Sequence, residues 1–298
     1  MTTVPDATDA SDANGPTVGG TDSSTDSSTD SSTSSSIDAA PFQGGSLRLP
    51  LSPTGADHVR PVTIGAVVVA AAALAVATAG GFRLVLVAAL VLSLVLAWCW
   101  PVLGGSHTPR ATSIVLLVAA PAIIFTSLSD DLTWTAAAVA LGIVLSFMGQ
   151  LVRKTGRAGL VLTLLASFGG LVPMASATLA VGSADVPRGR DYLVVTMSAA
   201  AAAVVADLLV RKRALAPFLG VVALLAAIAG AVIAGLFVDE VGGWAAVGVA
   251  AGAGSLSWSW RRIFALQPAM LGTRGQIAAG VGSVLILGVL VHVFTVVS

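Results

Sequence analysis

Nine stretches of about twenty apolar residues follow one another from Val62 to Val297, separated only by short connections. A backbone in hydrocarbon has no water to bond, so it must satisfy its own N–H and C=O groups as a helix or a closed barrel. A helix covers about 30 Å of hydrocarbon in about twenty residues at 1.5 Å each, which matches these stretches. Barrel strands would be about half as long and would alternate apolar with polar, and that alternation is missing. The spans expected are 62–79, 84–103, 111–128, 134–152, 158–181, 192–210, 214–237, 242–260 and 276–297. Only Gly80, Gly81, Phe82 and Arg83 separate the first two, which suits a tight helical hairpin. The expected fold is all-α, a polytopic membrane helix bundle of about nine transmembrane helices.

Charge tells the same story. Charged residues make up 10% of the 298, against about a quarter in a soluble domain, so lipid is the natural solvent for the remainder. The formal net charge of zero averages two unlike regions. Residues 1–60 hold Asp6, Asp9, Asp12, Asp22, Asp26, Asp30, Asp38 and Asp57 against Arg48 and Arg60. Within them Thr-Asp-Ser-Ser recurs from Thr21, Thr25 and Thr29. Such a segment has too little apolar surface to offset its ordering entropy and is expected to be a disordered tail. It lacks the basic and apolar regions of a signal peptide. Its Ser and Thr residues are candidate kinase targets, with a solvated spacer as the simpler reading. Leu47, Leu49, Leu51 and Pro53 suggest a segment resting on the bilayer surface. Residues 61–298 form the transmembrane domain.

The connections orient the bundle. Arg153, Lys154 and Arg157 follow the fourth span, Arg211, Lys212 and Arg213 the sixth, and Arg261, Arg262 and Arg274 the eighth. The alternate connections carry Asp130 and Asp131, a balanced Asp185, Arg188, Arg190 and Asp191, then Asp239 and Glu240. Basic loops stay in the cytoplasm, so a multi-pass plasma-membrane protein is expected, N-terminus cytoplasmic and C-terminus outside; Arg83 is the exception. Trp100, Trp134, Trp244, Trp258, Trp260 and Tyr192 fall near span ends, where amphipathic rings favour the headgroup layer. Gly248 with Gly252, and Ala199 to Ala203, offer smooth strips for close helix approach.

Intramembrane charge is the best pointer to chemistry. Asp207 qualifies, with Arg211 one turn on; the pair reads as a coupling carboxylate or, more simply, as an interfacial ion pair. His292 and Gln150 are candidates for polar contacts between helices. Ser255 lies about 15 Å from His292 in depth by helical rise alone, too far for a catalytic Ser–His pair. Cys99 is expected to be a small buried hydrophobe. The three histidines and one cysteine form no metal-ligand spacing, and no P-loop is present. Magnesium-dependent lipid-phosphate enzymes need clustered acids at the cytoplasmic face, where the membrane domain offers only Asp207. No cofactor, metal or nucleic-acid partner is expected. The bilayer is the expected partner, with anionic phospholipid as a candidate for Arg153, Lys154, Arg157, Arg211, Lys212, Arg213, Arg261 and Arg262.

Two stretches resemble a group of uncharacterised multipass membrane proteins of high-GC Gram-positive (actinobacterial) bacteria. They are Ala97-Trp98-Cys99-Trp100-Pro101 and the helix end from Phe147 through Gln150, Arg153 and Lys154 to Gly156-Arg157. The resemblance implies a membrane bundle and no particular activity. Without a catalytic constellation, a non-enzymatic role is expected, permease-like or associated with the cell envelope. A membrane enzyme acting on lipid-linked phosphates and a structural scaffold are the alternatives. Reporter fusions after Asp191 and after Arg262 test the orientation. Alkaline phosphatase should be active only at the first and a fluorescent protein bright only at the second; the reverse would invert the map.

Overall fold

The computed structural model describes residues 59–129, 131–152, 159–209, 217–238 and 241–297. Residues 1–58 of the expected tail lie outside them, as do Asp130, Arg153, Lys154, Arg157, Arg211, Lys212, Arg213, Asp239 and Glu240. The described residues form helices without strands: α1 Pro61–Ala77, α2 Phe82–Leu103, α3 Pro109–Ile124, α4 Thr133–Leu151, α5 Leu160–Ser183 and α6 Pro187–Ala203. After these come α7 Val205–Leu208, α8 Leu219–Gly235, α9 Gly243–Phe264, α10 Thr273–Leu285 and α11 Gly288–Val297. With α6–α7 and α10–α11 each taken as one rod, nine rods result, one for every expected span. Seven are long and apolar enough to cross a membrane. Of the other two, α8 is apolar but has 17 residues, and α9 carries Ser255, Ser257, Ser259, Arg261 and Arg262. The chain is thus an all-α, multi-pass membrane bundle.

Helix boundaries follow from local chemistry. Pro61, Pro109 and Pro187 open α1, α3 and α6, where the missing N–H has no intrahelical partner to lose. The α1–α2 hairpin turns at Gly81, whose φ of 73° is left-handed and natural only to glycine. Small residues then set the packing, because lipid gives apolar helices no reason to associate beyond contact and hydrogen bonding. Ala199, Ala200 and Ala203 of the expected strip are buried, and α6 packs closely on α8. Gly248 and Gly252 face Phe294 and Leu290, so this pair receives large side chains from α11. The rod α10 sits centrally, against α1, α2 and α9, while α11 packs on α5 and α6. By contrast α4 packs on α3 and α5 and buries only Gly142 and Ser146.

Two features depart from the sequence reading. The last rod is broken at Ile286 and Leu287, although its sequence reads as one continuous span. Ser176 of α5 repairs the break: its hydroxyl donates to the Ile286 carbonyl at 2.8 Å and accepts the Val289 N–H at 2.9 Å. Gly288 permits this approach, since a Cβ there would collide with the Ser176 carbonyl oxygen. The aromatic residues also divide. Trp134 and Trp244 are exposed, as a headgroup position requires, but Trp100 and Tyr192 are buried in the bundle. Trp100 stacks on Trp260 and donates Nε1–H to the Ala166 carbonyl at 2.7 Å. Cys99 is buried, as expected.

Gly288→Ala should therefore lower stability by about 1–3 kcal/mol through overpacking. Gly65→Ala, where a Cβ meets nothing within 4 Å, should be neutral or gain up to about 1 kcal/mol of helix propensity. Thermal melting in detergent, followed by size-exclusion fluorescence, separates the two; equal melting would contradict the close contact.

Candidate functional site

Chemistry gathers at both ends of the bundle. One end carries Arg60, the C-terminus of α2, and the Asp207 and Arg261 side chains. The other carries the α1–α2 hairpin, the α3–α4 and α5–α6 turns, and His292.

At the Arg60 end, Arg261 donates Nε–H to Asp207 Oδ2 at 2.6 Å and Nη1–H to Ser257 Oγ at 2.5 Å. The two charged side chains are only 3% and 22% exposed, respectively, so this is an ion pair inside the bundle joining α7 to α9. Arg261 Nη2 is buried without a partner, as is Trp260 Nε1 beside it in sequence. Arg60 donates to the Ala265 carbonyl at 2.7 Å. Burial pulls the Arg60 guanidinium below its ordinary pKa and the nearby charge of Arg262 adds to this, while Asp207 opposes both. Arg274 lies over the Trp98 ring, 4.5 Å from its centroid.

Sequence reasoning had joined Asp207 to Arg211, which is outside the described residues. The partner shown is Arg261, 54 positions away, and no spacing rule points to it. Arg261 was also expected among the headgroup contacts; its guanidinium is instead buried, whereas Arg262 is exposed. Gln150 is half-buried at the end of α4. No group of three or more His, Cys, Asp or Glu among the described residues could hold a metal ion.

The opposite end holds a chamber of about 350 Å³. Its walls include Phe82, Thr126, Ser127, Thr178, Asp185 and His292, with Leu132, Thr135 and Leu179 at its edge. His292 is positioned by Ser183, whose Oγ is 3.3 Å from Nδ1. The Ser183 hydroxyl donates its one hydrogen to the Leu179 carbonyl at 2.9 Å. Towards the ring it can only accept, so Nδ1–H points at Ser183 and Nε2 is the ring nitrogen left for another partner. Ser183 does not line the chamber and its hydrogen is already used. It orients His292 and is not placed as a nucleophile.

A second, open cavity of about 770 Å³ runs along the lipid-facing side between α4 and α5. Ala136, Val139, Ala140 and Ile143 line it from α4, and Val172 and Ala175 from α5. Leu132, Thr135 and Leu179 line both the chamber and this groove, so the two lie on either side of a shared wall. Ser176, Ile286 and Val289 also line the groove, which places it against the break between α10 and α11. Only His292 of these features stood out in the sequence. The others are common apolar and hydroxyl residues with no local signature.

Removing one partner of a buried ion pair leaves an uncompensated charge. Asp207→Ala should therefore cost about 3–5 kcal/mol, and Asp207→Leu with Arg261→Met should recover most of that loss. Melting of the purified variants in detergent tests this; a single variant as stable as the parent would show that the pair carries no weight.

No family model, no curated protein and no solved structure matches this chain, which leaves the two ends themselves as the ground for a functional reading.

Proposed function

We propose that the protein is a permease-like membrane protein that binds an amphiphile, with its polar head in the chamber at the His292 end and its chain in the groove along α4 and α5. One observation carries this reading: the polar chamber and the apolar groove share the wall of Leu132, Thr135 and Leu179. A water-soluble solute would have no use for a groove open to lipid, and a plain hydrocarbon would have no use for a hydroxyl-lined chamber. Binding sites that take both kinds of surface bury most of a ligand while a few placed polar groups fix its orientation.

Movement is supported by the last rod. Discontinuous helices in membranes occur where irregular backbone is sheltered by protein or lines a cavity, and they often stand at transport sites. Here the break faces the groove and is held by a single side chain, Ser176. The adjoining rod α4 is the least buried of the spans, so it can shift at little cost in contacts. With basic connections inside, the chamber faces outward and the groove opens to the outer half of the bilayer. The Arg60 end then meets the cytoplasm, where exposed Arg262 is placed to contact anionic headgroups.

Reconstitution in liposomes with fluorescent diacyl lipids tests the proposal. The intact protein should speed exchange between leaflets, read by dithionite quenching. Ala140→Trp, which fills the groove, should slow this at least about ten-fold, because a bulky ring in a fitted cavity forces its occupant out. Val69→Trp, on the exposed face of α1, should not alter the rate. No acceleration by the intact protein with any headgroup would remove the transport reading.

A further inference from the structure

The hydrogen-bonding inventory of the chamber narrows what can occupy it. Each wall hydroxyl has one hydrogen, and most of these are already used. Thr126 donates to the Ile123 carbonyl at 2.6 Å, so the 2.8 Å contact between Thr126 and Thr135 takes its hydrogen from Thr135. Ser127 donates to the Ile124 carbonyl at 2.7 Å. Thr178 donates to the carbonyls of Ile123 and Met174 at 3.2 and 3.3 Å. What these groups keep for a ligand is lone pairs, while Ser129, a further wall residue that accepts the Asp131 N–H at 3.4 Å, has a hydroxyl able to donate. His292 adds Nε2, the ring nitrogen not engaged by Ser183. Asp185 adds a carboxylate, which accepts only.

A chamber lined mainly by acceptors favours a donor-rich guest. A phosphate or carboxylate brings further lone pairs and a like charge against Asp185, and its recognition calls for Arg, Lys or clustered N–H groups. Among the described residues no Arg or Lys lines the chamber. Arg83, Arg188 and Arg190 stand close to the chamber in sequence but not among its lining residues; Arg190 donates Nε–H to the Ala184 carbonyl at 2.8 Å and Nη2–H to the Asp185 carbonyl at 3.3 Å. The chamber also has Phe82, an apolar ring at the α1–α2 turn. Carbohydrate joins these requirements: its hydroxyls donate in several directions, and its C–H faces pack on aromatic rings. The acceptors come from the 3-10 turn that follows α3, from α4, from α5 and the turn after it, and from α11, and a sugar ring can spread its hydroxyls among them. An ammonium head concentrates its donors at one point and, in a phospholipid, brings its phosphate with it.

We propose that the chamber binds the uncharged glycosyl headgroup of a glycolipid; this rests on the amphiphile reading above. Asp185 and His292 Nε2 take hydrogen bonds from the sugar hydroxyls, Phe82 packs against its face, and the acyl chains leave through the shared wall into the groove.

The test uses the full chain in a polyoxyethylene detergent, because sugar-based detergents would compete. Four probes with identical acyl chains are titrated: glucosyl diacylglycerol, phosphatidylglycerol, phosphatidylethanolamine and diacylglycerol. Glucosyl diacylglycerol should bind at least about ten-fold more tightly than the other three, and free glucose should not displace it. Asp185→Lys, at an exposed turn, should erase that preference and raise affinity for phosphatidylglycerol, while diacylglycerol binding stays unchanged. His292→Phe, checked for unchanged melting, should weaken the glycolipid alone. If either phospholipid binds as tightly as the glycolipid, and Ala140→Trp weakens both, the headgroup assignment falls and the amphiphile reading stands. If Ala140→Trp weakens no probe, the amphiphile reading falls and takes this one with it.

Discussion

Ser176 closes a gap that hydrocarbon cannot close. Where α10 gives way to α11, the Ile286 carbonyl and the Val289 N–H lose their helical partners, and one hydroxyl serves both. An unsatisfied backbone group in lipid costs several kcal/mol, so the bent rod persists only while α5 stays against it. That contact in turn depends on Gly288, where any side chain would strike the Ser176 carbonyl. The groove, the seat of His292 on α11 and the wall shared with the chamber all lie around this junction. A single polar side chain therefore fixes the shape of the region to which a function is assigned.

The two ends of the bundle solve opposite electrostatic problems. At the Arg60 end, a cation is drawn inside and neutralised by Asp207, and its neighbours Arg60 and Arg274 are held by a carbonyl and an aromatic face. Buried pairs of this kind add little net stability, but they fix register, because either partner alone is costly. At the His292 end, the hydroxyl hydrogens of Thr126, Ser127 and Thr178 are turned back into the protein and their lone pairs are left for the chamber. One end is thus closed by an ion pair; the other is hollow.

Much of the fold was legible in the sequence because hydropathy is a property of single residues and survives without knowledge of contacts. Every expected span coincides with a rod, and Pro61, Pro109 and Pro187 mark helix starts as the missing N–H requires. The break in the last rod was hidden, since Ile286, Leu287 and Gly288 read as ordinary apolar residues; only Gly288 gave a faint sign. Trp100 looked interfacial by position, yet Ala166 and Trp260 supply a buried partner and a stacking surface. The same limit applied to the sites. Asp207 and His292 stood out as polar residues within apolar spans, but their partners Arg261 and Ser183 are brought near by the tertiary fold alone. The chamber was invisible because Thr126, Ser127 and Thr178 are unremarkable until their hydrogens are counted.

A cryo-electron-microscopy map of the protein in nanodiscs of its own membrane lipid is the most direct test of the chamber and groove as one amphiphile site. Continuous non-protein density is predicted, with a compact head between Phe82, Asp185 and His292 and a tail passing Leu179 to lie along Val139 and Ile143. An empty chamber, with the groove bearing only the diffuse lipid seen around every other rod, would contradict it.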